Sequence, residues 1–393
     1  MEREQQPLRI ITLCYEFPPI GGGGSKVVRG LSSALVAEGH AVDLVTTRFG
    51  GAAAFEVVDG IQVSRVLAPR HSIDHSNLLD LIGYVLPCLW RAWRLTSRNA
   101  YDVCHAHFIF PDGVVAWVLR LLTRQRYIIT AHGSDVPGYN PDRFRLAHRI
   151  LRPLWRKVVK GAETIIVPSP SLRDLLRSHC QSTATTIIPN GFDPQRFRTE
   201  LSCRDRSGVL CVSRLLERKG LQHLLSAVAG LDVPTRINVA GDGPYRAELE
   251  RHAKSLSVDV VFHGWLDNDS PALAELYRTC GIFVLPSSSE NFPVSLLEAM
   301  SAGMAIVTTE GTGCEDVVGD AGVLVAYGDV AGLRAALGQL TRCGATRESY
   351  GARARQRLID RFAWPHVVQQ YLAVYRRCPA FPSQPANQAR LAQ

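Results

Sequence analysis

The chain has 393 residues, of which 46% are hydrophobic and 20% charged, and its formal net charge is +8. This length predicts two or three domains, and the composition is typical of a globular protein rather than a disordered or fibrous one. The longest apolar tract, residues 78–90, is too short to span a membrane, and residues 1–13 do not look like a signal peptide, so we expect a cytoplasmic protein. Ten scattered cysteines without metal-like spacing favour reduced thiols over disulfides or a zinc site.

In the first half, strand-like apolar runs alternate with helical patterns. The runs cover residues 10–14, 41–46, 61–66, 103–107, 127–130 and 164–167. This alternation predicts a doubly wound parallel sheet covered by helices on both faces. We expect a Rossmann-like domain over residues 1–195, with ligands bound beyond the carboxyl ends of its strands.

A glycine-rich loop follows the first strand. Gly21 to Gly24 stand directly before a helical segment, and glycines allow a ligand to approach the backbone closely. The start of a helix adds N–H groups that favour an anion. A flexible turn without ligand is the alternative, because the loop matches neither the dinucleotide-binding nor the P-loop pattern.

His132 and Asp135 follow the strand at 127–130, in the sequence His-Gly-Ser-Asp. A lone histidine is often structural, but the end of a strand and the neighbouring Gly133 favour a role in a site. We therefore expect His132 to point toward bound ligand.

The first half also carries most of the positive charge. Residues 120–160 contain ten basic residues and two acidic ones, interleaved with apolar residues. This pattern suits an anionic membrane surface, although an ordinary solvated helix face explains it equally well. No nucleic-acid motif accompanies the charge, so nucleic acid is not expected as a partner. The cluster that would contact lipid is Arg143, Arg145, Arg149, Arg152, Arg156, Lys157 and Lys160.

After a pause near residues 192–206, the alternation starts again. Apolar runs cover residues 209–213, 236–240, 258–263, 282–285, 305–308 and 323–325. They predict a second Rossmann-like domain over residues 196–378, followed by a flexible tail, 379–393. Two such domains whose strand ends face one another would form a cleft.

Polar and small residues follow several strands of the second half. Arg214 and Lys219 come after the first of these strands, where two cations can hold a diphosphate and neutralise a leaving nucleoside diphosphate. The turn 241–244 follows the second strand, and Gly264-Trp265 ends the third, where backbone groups can contact a base edge. Asp267-Asn-Asp269 matches a metal-binding D-x-D pattern, but Asp269-Ser-Pro is better explained as the cap and first turn of a helix.

The segment Glu290-Asn-Phe-Pro-Val-Ser-Leu-Leu-Glu298 links a strand to a helix, with Pro293 suited to the first turn. The helix start favours a phosphate or diphosphate, and the flanking carboxylates can accept hydrogen bonds from hydroxyl groups on either side. A nucleotide sugar has that arrangement of groups. The alternative is that Glu290 caps a loop and Glu298 is a solvated helix residue.

Taken together, these motifs resemble the family four retaining glycosyltransferases, which have the GT-B fold of two facing Rossmann-like domains with an inter-domain cleft. The resemblance covers nearly the whole chain, up to a last helix, 364–378, that in such enzymes crosses back to the first domain. Its most specific part is the ordered set of glycine-rich loop, His-Gly-Ser-Asp, Arg214 with Lys219, the turn at 241–244, and Glu290 with Glu298.

The resemblance implies a role for each motif. Arg214 and Lys219 would bind the donor diphosphate, Glu298 the ribose and Glu290 the transferred sugar. His132 would lie near the reacting centre and Asp135 on the acceptor side. Further donor contacts would come from Gly23, Gly24, Gly264, Trp265, Phe292, Pro293 and the backbone of Val294, Ser295 and Leu296. The resemblance also implies retention of anomeric configuration, with no metal and no other cofactor.

Two departures from the family pattern bear on the donor sugar. Asn291 stands where relatives often have glycine, and Gly311-Thr-Gly-Cys-Glu315 replaces their Gly-Gly…Pro-Glu run. The expected activity is transfer of a hexose from a UDP- or GDP-sugar to a saccharide or lipid-linked acceptor, at the inner face of the membrane in cell-envelope, lipopolysaccharide or exopolysaccharide synthesis. The alternatives are a nucleotide-sugar epimerase of the same fold and a non-catalytic lipid-binding scaffold.

Overall fold

A computed structural model of the protein describes residues 6–73, 76–139 and 145–377, the side chains of 145–149 excepted. The chain divides into two compact units. The first contains the residues up to Pro189 and those from Val367 onward, and the second contains Asn190–His366. Each unit is built on one sheet flanked by helices, so the α/β class with two Rossmann-like halves is confirmed.

Eight strands form the sheet of the first unit: β1 (Arg9–Leu13), β2 (Ala41–Thr47), β3 (Phe55–Val58), β4 (Ile61–Val66), β5 (Val103–His107), β6 (Tyr127–Thr130), β7 (Ile165–Val167) and β8 (Thr185–Ile187). Their order is β3-β4-β2-β1-β5-β6-β7-β8, and β3 is the one antiparallel strand among them. The six strands predicted for this half are present. The structure adds β3 and β8, which the apolar runs did not indicate.

The described helices of the first unit connect these strands. They are α1 (Gly23–Ala37), α2 (Leu78–Thr96), α3 (Asp112–Thr123), α4 (Arg145–Gly161) and α5 (Pro170–His179). None of the helices in the described residues combines the length and the hydropathy needed to cross a bilayer.

Six parallel strands form the sheet of the second unit: β9 (Val209–Val212), β10 (Ile237–Ala240), β11 (Val260–Gly264), β12 (Ile282–Leu285), β13 (Ala305–Thr309) and β14 (Val323–Val325). Their order is β11-β10-β9-β12-β13-β14. All six were predicted. The helices that follow β9 in the chain are α6 (Leu221–Val228), α7 (Arg246–Ser255), α8 (Pro271–Thr279), α9 (Val294–Ser301), α10 (Gly313–Val318), α11 (Val330–Arg342), α12 (Gly344–Phe362) and α13 (Trp364–Arg377), and all but α13 lie wholly within the second unit.

The core of the second unit has two layers, one on each face of its sheet. Leu210 and Phe283 belong to the layer that also contains buried residues of α9 and α12. Their neighbours Val209 and Val284 belong to the opposite layer, with buried residues of α6 and α11. Successive side chains of a strand point to opposite faces, so a parallel strand that is covered on both sides is apolar throughout. This explains the short continuous apolar runs.

The two units divide a few residues earlier than the expected boundary between residues 195 and 196. The Asn190 side-chain amide already donates to the carbonyl of Phe292 (3.2 Å), and Phe192 forms a β-bridge with Ala363. Both contacts lie within the second unit.

The last described helix, α13, corresponds to the expected helix 364–378, and its residues from Val367 onward belong to the first unit. There the Tyr375 hydroxyl lies 2.8 Å from His105 Nδ1, and the Gln369 amide donates to Glu38 (3.1 Å). Residue 378 and the expected tail 379–393 lie outside the described residues.

Candidate active site

The carboxyl ends of two neighbouring strands in the second unit bring two polar segments together. Strands β9 and β12 pair in parallel, so the turn after β9 and the loop after β12 leave the sheet at the same edge. The Arg218 carbonyl in that turn accepts from the Ser288 N–H (2.9 Å), the Ser288 hydroxyl (3.2 Å) and the Ser287 hydroxyl (3.3 Å). These bonds fix the turn against the loop.

As a result, Lys219 and Glu290 form an ion pair. The Lys219 ammonium contacts Glu290 Oε1, and the two side chains are only 14% and 10% exposed. Gly220 follows with φ +74°, and a Cβ there would lie 2.0 Å from the Pro286 carbonyl oxygen. Only glycine therefore allows this close approach of turn and loop.

Arg214 lies at the same edge, two residues after the end of β9, and its side chain is exposed. Within the described part of the chain, its guanidinium has no hydrogen-bond or ion-pair partner. An exposed guanidinium beside an ion-paired lysine can hold a phosphate with two parallel hydrogen bonds.

Helix α9 begins at this edge without a side-chain cap, with Pro293 as its N-cap residue. The N–H of Leu296 donates to the Pro293 carbonyl (3.1 Å), and its side chain is fully buried in the core. The backbone N–H groups of Val294, Ser295 and Leu296 were predicted to contact the donor substrate. Because that of Leu296 is already hydrogen-bonded, the candidates are those of Val294 and Ser295. The Phe292 ring is also buried and packs edge-on against Phe362, so any donor contact of Phe292 comes from its backbone.

Glu298 is buried on α9, with only 2% of its surface exposed. The Tyr277 hydroxyl donates to its Oε2 (2.6 Å), and burial together with the carboxylate raises the pKa of Tyr277 well above its usual value. The alternative of a solvated helix residue is therefore wrong. Tyr277, which the sequence did not single out, fixes the orientation of this carboxylate.

The loop 311–315, one of the two departures from the family pattern, packs against the segment that begins at Glu290. The Gly313 N–H donates to the Glu290 carbonyl (3.0 Å), and a Cβ at residue 313 would lie 1.6 Å from the Asn291 carbonyl oxygen. Asn291 is buried here. The two departures are thus neighbours in space and shape the same part of the loop.

The end of β11 supplies a large exposed aromatic surface. Gly264 has φ +70°, and its carbonyl accepts from the Gly241 N–H (2.7 Å). Trp265 follows and is 49% exposed. Because β11, β10 and β9 are consecutive in the sheet, Trp265 lies at the same edge as Arg214.

The end of the Asp267-Asn-Asp269 segment leads into the cap of helix α8, as expected of Asp269-Ser-Pro, and Ser270 is the N-cap residue. The Ser270 hydroxyl accepts from the Leu273 N–H (3.3 Å), and Pro271 occupies the first turn of α8. The Asp269 carboxylate pairs with Arg196. Among the residues that the structure describes, no group of three or more His, Cys, Asp or Glu side chains could hold a metal ion.

In the first unit, Asp135 holds the segment that carries His132. Its Oδ1 accepts from the N–H groups of His132 (3.1 Å) and Gly133 (2.9 Å), and its Oδ2 accepts from that of Ile109 (2.7 Å). Burial raises the pKa of Asp135 to about 6, while these hydrogen bonds oppose the rise. Asp135 thereby joins the segments that follow β5 and β6.

Two further histidines lie behind His132. His107 Nδ1 is 3.1 Å from His132 Nε2, and the His105 and His107 rings are 4.1 Å apart. Burial lowers the pKa of His132 to about 4 and that of His105 to about 3, and it lowers the pKa of His107 well below its usual value. All three are neutral at pH 7. The sequence placed His105 and His107 in a strand without a role, although their alternation at a strand end was a usable signal.

Gly23 and Gly24 begin α1 at the end of β1, beside the β5 end that carries His107. A Cβ on Gly24 would lie 2.9 Å from the Phe108 ring and 3.8 Å from the His132 ring. The helix start has no side-chain cap, and Gly22 and Gly23 are exposed. His132 and this open helix start therefore lie at one edge of the sheet.

A pocket with mostly apolar walls adjoins Asp135. Loops after β1, β5 and β6 and helices α2, α3 and α4 form it. Its lining residues are Tyr15, Leu78, Leu81, Phe108, Ile109, Phe110, Val114, Ser134, Asp135, Pro137, Leu151, Leu154 and Trp155.

Two family models match this chain and together cover most of it. Residues 21–196 match Glycosyltransferase Family 4, and residues 206–342 match Glycosyl transferases group 1. The chain belongs to glycosyltransferase family 4. The GT-B fold class and the family resemblance inferred from the motifs are thereby confirmed.

One relative and two solved structures are similar to this chain over nearly its whole length. N-acetyl-alpha-D-glucosaminyl L-malate synthase of Bacillus anthracis is 25% identical, with 94% of this chain and 96% of that protein covered. A sucrose-phosphate synthase from Thermosynechococcus elongatus has a similar structure, with a TM-score of 0.80, 22% identity, and coverage of 94% and 98%. Anabaena Alr3699/HepE, solved in complex with UDP-glucose, has a TM-score of 0.73, 18% identity, and coverage of 93% and 98%.

The ion pair of this glycosyltransferase should be strongly coupled. We expect K219M and E290Q each to lower the free energy of unfolding by about 2 kcal/mol, because each leaves the other charge part-buried without its ionic partner. The double variant should lose less than the sum, with a coupling of about 1 kcal/mol or more, measured by urea unfolding. As a control, the exposed pair Arg342 and Asp232 (3.0 Å) should show a coupling of at most about 0.5 kcal/mol. Additive losses at Lys219 and Glu290 would contradict the pairing.

His132 should make the protein less stable in acid. Its folded pKa of about 4 lies below the value of 6.5 expected of an unfolded chain, so the unfolded state binds the proton first as the pH falls. The contribution of neutral His132 to the free energy of unfolding is fully present above pH 6.5. It is lost as the pH falls toward 4, by about 1.4 kcal/mol per pH unit. In urea unfolding across this range, H132Q should show a shallower decline than the natural protein. Parallel declines would show that His132 titrates normally.

Proposed function

We propose that this glycosyltransferase is a retaining hexosyltransferase, which transfers a sugar from a UDP- or GDP-sugar to a saccharide or lipid-linked acceptor. One observation carries the proposal. The part-buried Lys219–Glu290 pair lies at the sheet edge that also has the exposed Arg214 and the uncapped start of α9. Two cations and the backbone N–H groups at the start of α9 suit a diphosphate, and Glu290 suits the hydroxyls of a sugar attached to it.

Each group has a separate role in this proposal. Arg214 and Lys219 bind the donor diphosphate, with the N–H groups of Val294 and Ser295. Glu298 accepts from the ribose, held in place by Tyr277. Trp265, half exposed at the end of β11, offers its ring to the base. Glu290 then orients the transferred sugar.

In the chemical step, the bond between the anomeric carbon and the diphosphate oxygen breaks while the acceptor hydroxyl oxygen bonds to the same face of the sugar. The acceptor proton passes to the leaving diphosphate. Negative charge grows on the diphosphate, so the two cations stabilise the transition state more than the bound donor. This account uses no metal ion and no cofactor.

The acceptor is assigned to the first unit. Asp135 fixes the segments after β5 and β6, and neutral His132 presents its imidazole there without adding a charge. The adjoining apolar pocket suits an acceptor that has an apolar part next to its reacting hydroxyl. A role in cell-envelope, lipopolysaccharide or exopolysaccharide synthesis, at the inner face of the membrane, follows from an acceptor of this kind.

Arg214→Ala and Lys219→Ala should each lower turnover a hundredfold or more, which corresponds to about 3 kcal/mol of transition-state stabilisation. The measurement is release of nucleoside diphosphate with a panel of donors and acceptors. Arg218→Ala is the matched control, because that residue contributes its backbone carbonyl and not its side chain to the loop contact. Near-normal turnover of both R214A and K219A would refute the proposed donor site.

The donor base can be identified by thermal shift with UDP, GDP, ADP and their sugars. The structure of similar fold that holds UDP-glucose makes UDP the first candidate. A nucleotide at a hundred times its dissociation constant stabilises the folded state by about 2.7 kcal/mol, and we expect one base alone to raise Tm in this way. R214A should abolish the rise. Equal shifts with every nucleotide would indicate recognition of the diphosphate without the base.

A further inference from the structure

Helix α2 turns a continuous apolar stripe toward solvent. Its members are 45% to 74% exposed and follow one another at intervals of three or four residues, so they lie on one face of the helix. They are Leu79, Ile82, Leu86, Trp90 and Trp93. The stripe runs over most of the length of α2, which is about 28 Å for 19 residues.

The opposite face of α2 already belongs to the core. Leu81, Tyr84, Cys88 and Ala92 are buried, and Tyr84 donates to the Val45 carbonyl (3.2 Å). A surface helix normally has one apolar face and one polar face. Here both faces are apolar, and packing among the described residues covers only one of them. A large contiguous apolar patch marks a site of interaction.

The charges around the stripe indicate what covers it. Helix α3 packs against both α2 and α4, so the three helices lie side by side. The acids of α2 and α3, Asp80 and Asp112, are buried, and the sequence of α4 contains no acid. Arg152, Arg156, Lys157 and Lys160 of α4 are exposed. The three helices therefore present bases and apolar side chains with no exposed carboxylate.

This combination favours an anionic lipid surface over a second copy of the chain. Two copies that met through this face would bring like charges together, whereas lipid phosphates neutralise them. The two tryptophans also suit the interface between headgroups and acyl chains. The Arg94 guanidinium lies over the Trp90 ring at 5.1 Å, which keeps a cation beside the aromatic ring.

We propose that α2 docks the protein on an anionic bilayer, with its apolar stripe inserted at the headgroup boundary and the bases of α4 against lipid phosphates. Leu78 and Leu81 of the same helix line the pocket beside Asp135, so a helix lying on the lipid surface would also border the acceptor side. The docking itself is independent of the proposed transfer reaction. Its link to a lipid-linked acceptor rests on that proposed function.

This inference differs from the one drawn from the basic residues alone. Of the seven residues of the sequence-based cluster, Arg143 lies outside the described residues, and the side chains of Arg145 and Arg149 are not described. The other four are exposed on α4. In the present proposal, the apolar side chains of α2 insert into the bilayer. The basic side chains of α4 are attracted to lipid phosphates, and this attraction weakens as the salt concentration rises.

The test is co-sedimentation of the full chain with vesicles, without donor or acceptor. Vesicles of equal parts phosphatidylglycerol and phosphatidylcholine are compared with pure phosphatidylcholine. We expect binding to the anionic vesicles that weakens with salt, and Leu86→Glu should reduce the partition coefficient about tenfold or more. Leu201→Glu is the matched control, because Leu201 is an exposed leucine of the second unit and its replacement adds the same charge.

Because Leu86 is 74% exposed, L86E should fold normally, and equal Tm values for the two variants would establish this. The variant W90A/W93A removes apolar surface without changing charge and should also weaken binding. Equal binding by natural protein, L86E and L201E would overturn the proposal. So would a dimer in solution that L86E dissociates, which would assign the stripe to a second copy. Nucleoside diphosphate release by L86E with a water-soluble acceptor should be unchanged, which separates failure of docking from failure of the proposed reaction.

Discussion

The candidate donor site of the second unit depends on the parallel pairing of β9 and β12. Since these neighbours end at the same edge, the turn after one and the loop after the other leave the sheet side by side. The Arg218 carbonyl then accepts three hydrogen bonds from Ser287 and Ser288. This contact fixes Lys219 against Glu290, although 71 residues separate them in sequence. The ion pair is a consequence of the order of the strands in the sheet. It also requires glycine at position 220, because a Cβ there would lie 2.0 Å from the Pro286 carbonyl oxygen.

Much of the fold could be predicted because buried parallel strands are apolar throughout and helices alternate with them. The strands that were missed lack this signature. Phe55 and Val57 of the edge strand β3 lie exposed on one face of the sheet, and β8 is a short polar edge strand. A further signal was available for β3. Asp59-Gly60 has both residues at positive φ, which is typical of the tight turn of a hairpin.

The composition of the site could be predicted better than its depth. Motifs at strand ends predicted the edge of each sheet at which a ligand would bind. The sequence does not show which helix residues face the core. Glu298 and Leu296 share one helix start and both proved buried, one paired with Tyr277 and the other packed in the core. His107 looked like an ordinary strand residue, because its contact with His132 joins two strands through tertiary structure. For the same reason, the apolar tract of α2 gave no indication that half of it faces solvent.

The Lys219–Glu290 pair links stability to the proposed chemistry. Burying two charges costs solvation free energy that their attraction offsets only with good geometry. Glu290 neutralises Lys219 and keeps it in place. In the proposed reaction, a bound diphosphate would give the ammonium a second anionic partner, and Glu290 would regain lone pairs for the hydroxyls of the sugar. Lys219 therefore needs little reorganisation before charge develops on the leaving group, which is the condition under which fixed charges accelerate a reaction most. Arg214, exposed and unpaired among the described residues, has no such partner to hold it. The two cations thus differ in kind: the fold already fixes Lys219 beside Glu290, whereas in the proposed site Arg214 would become ordered only on the diphosphate.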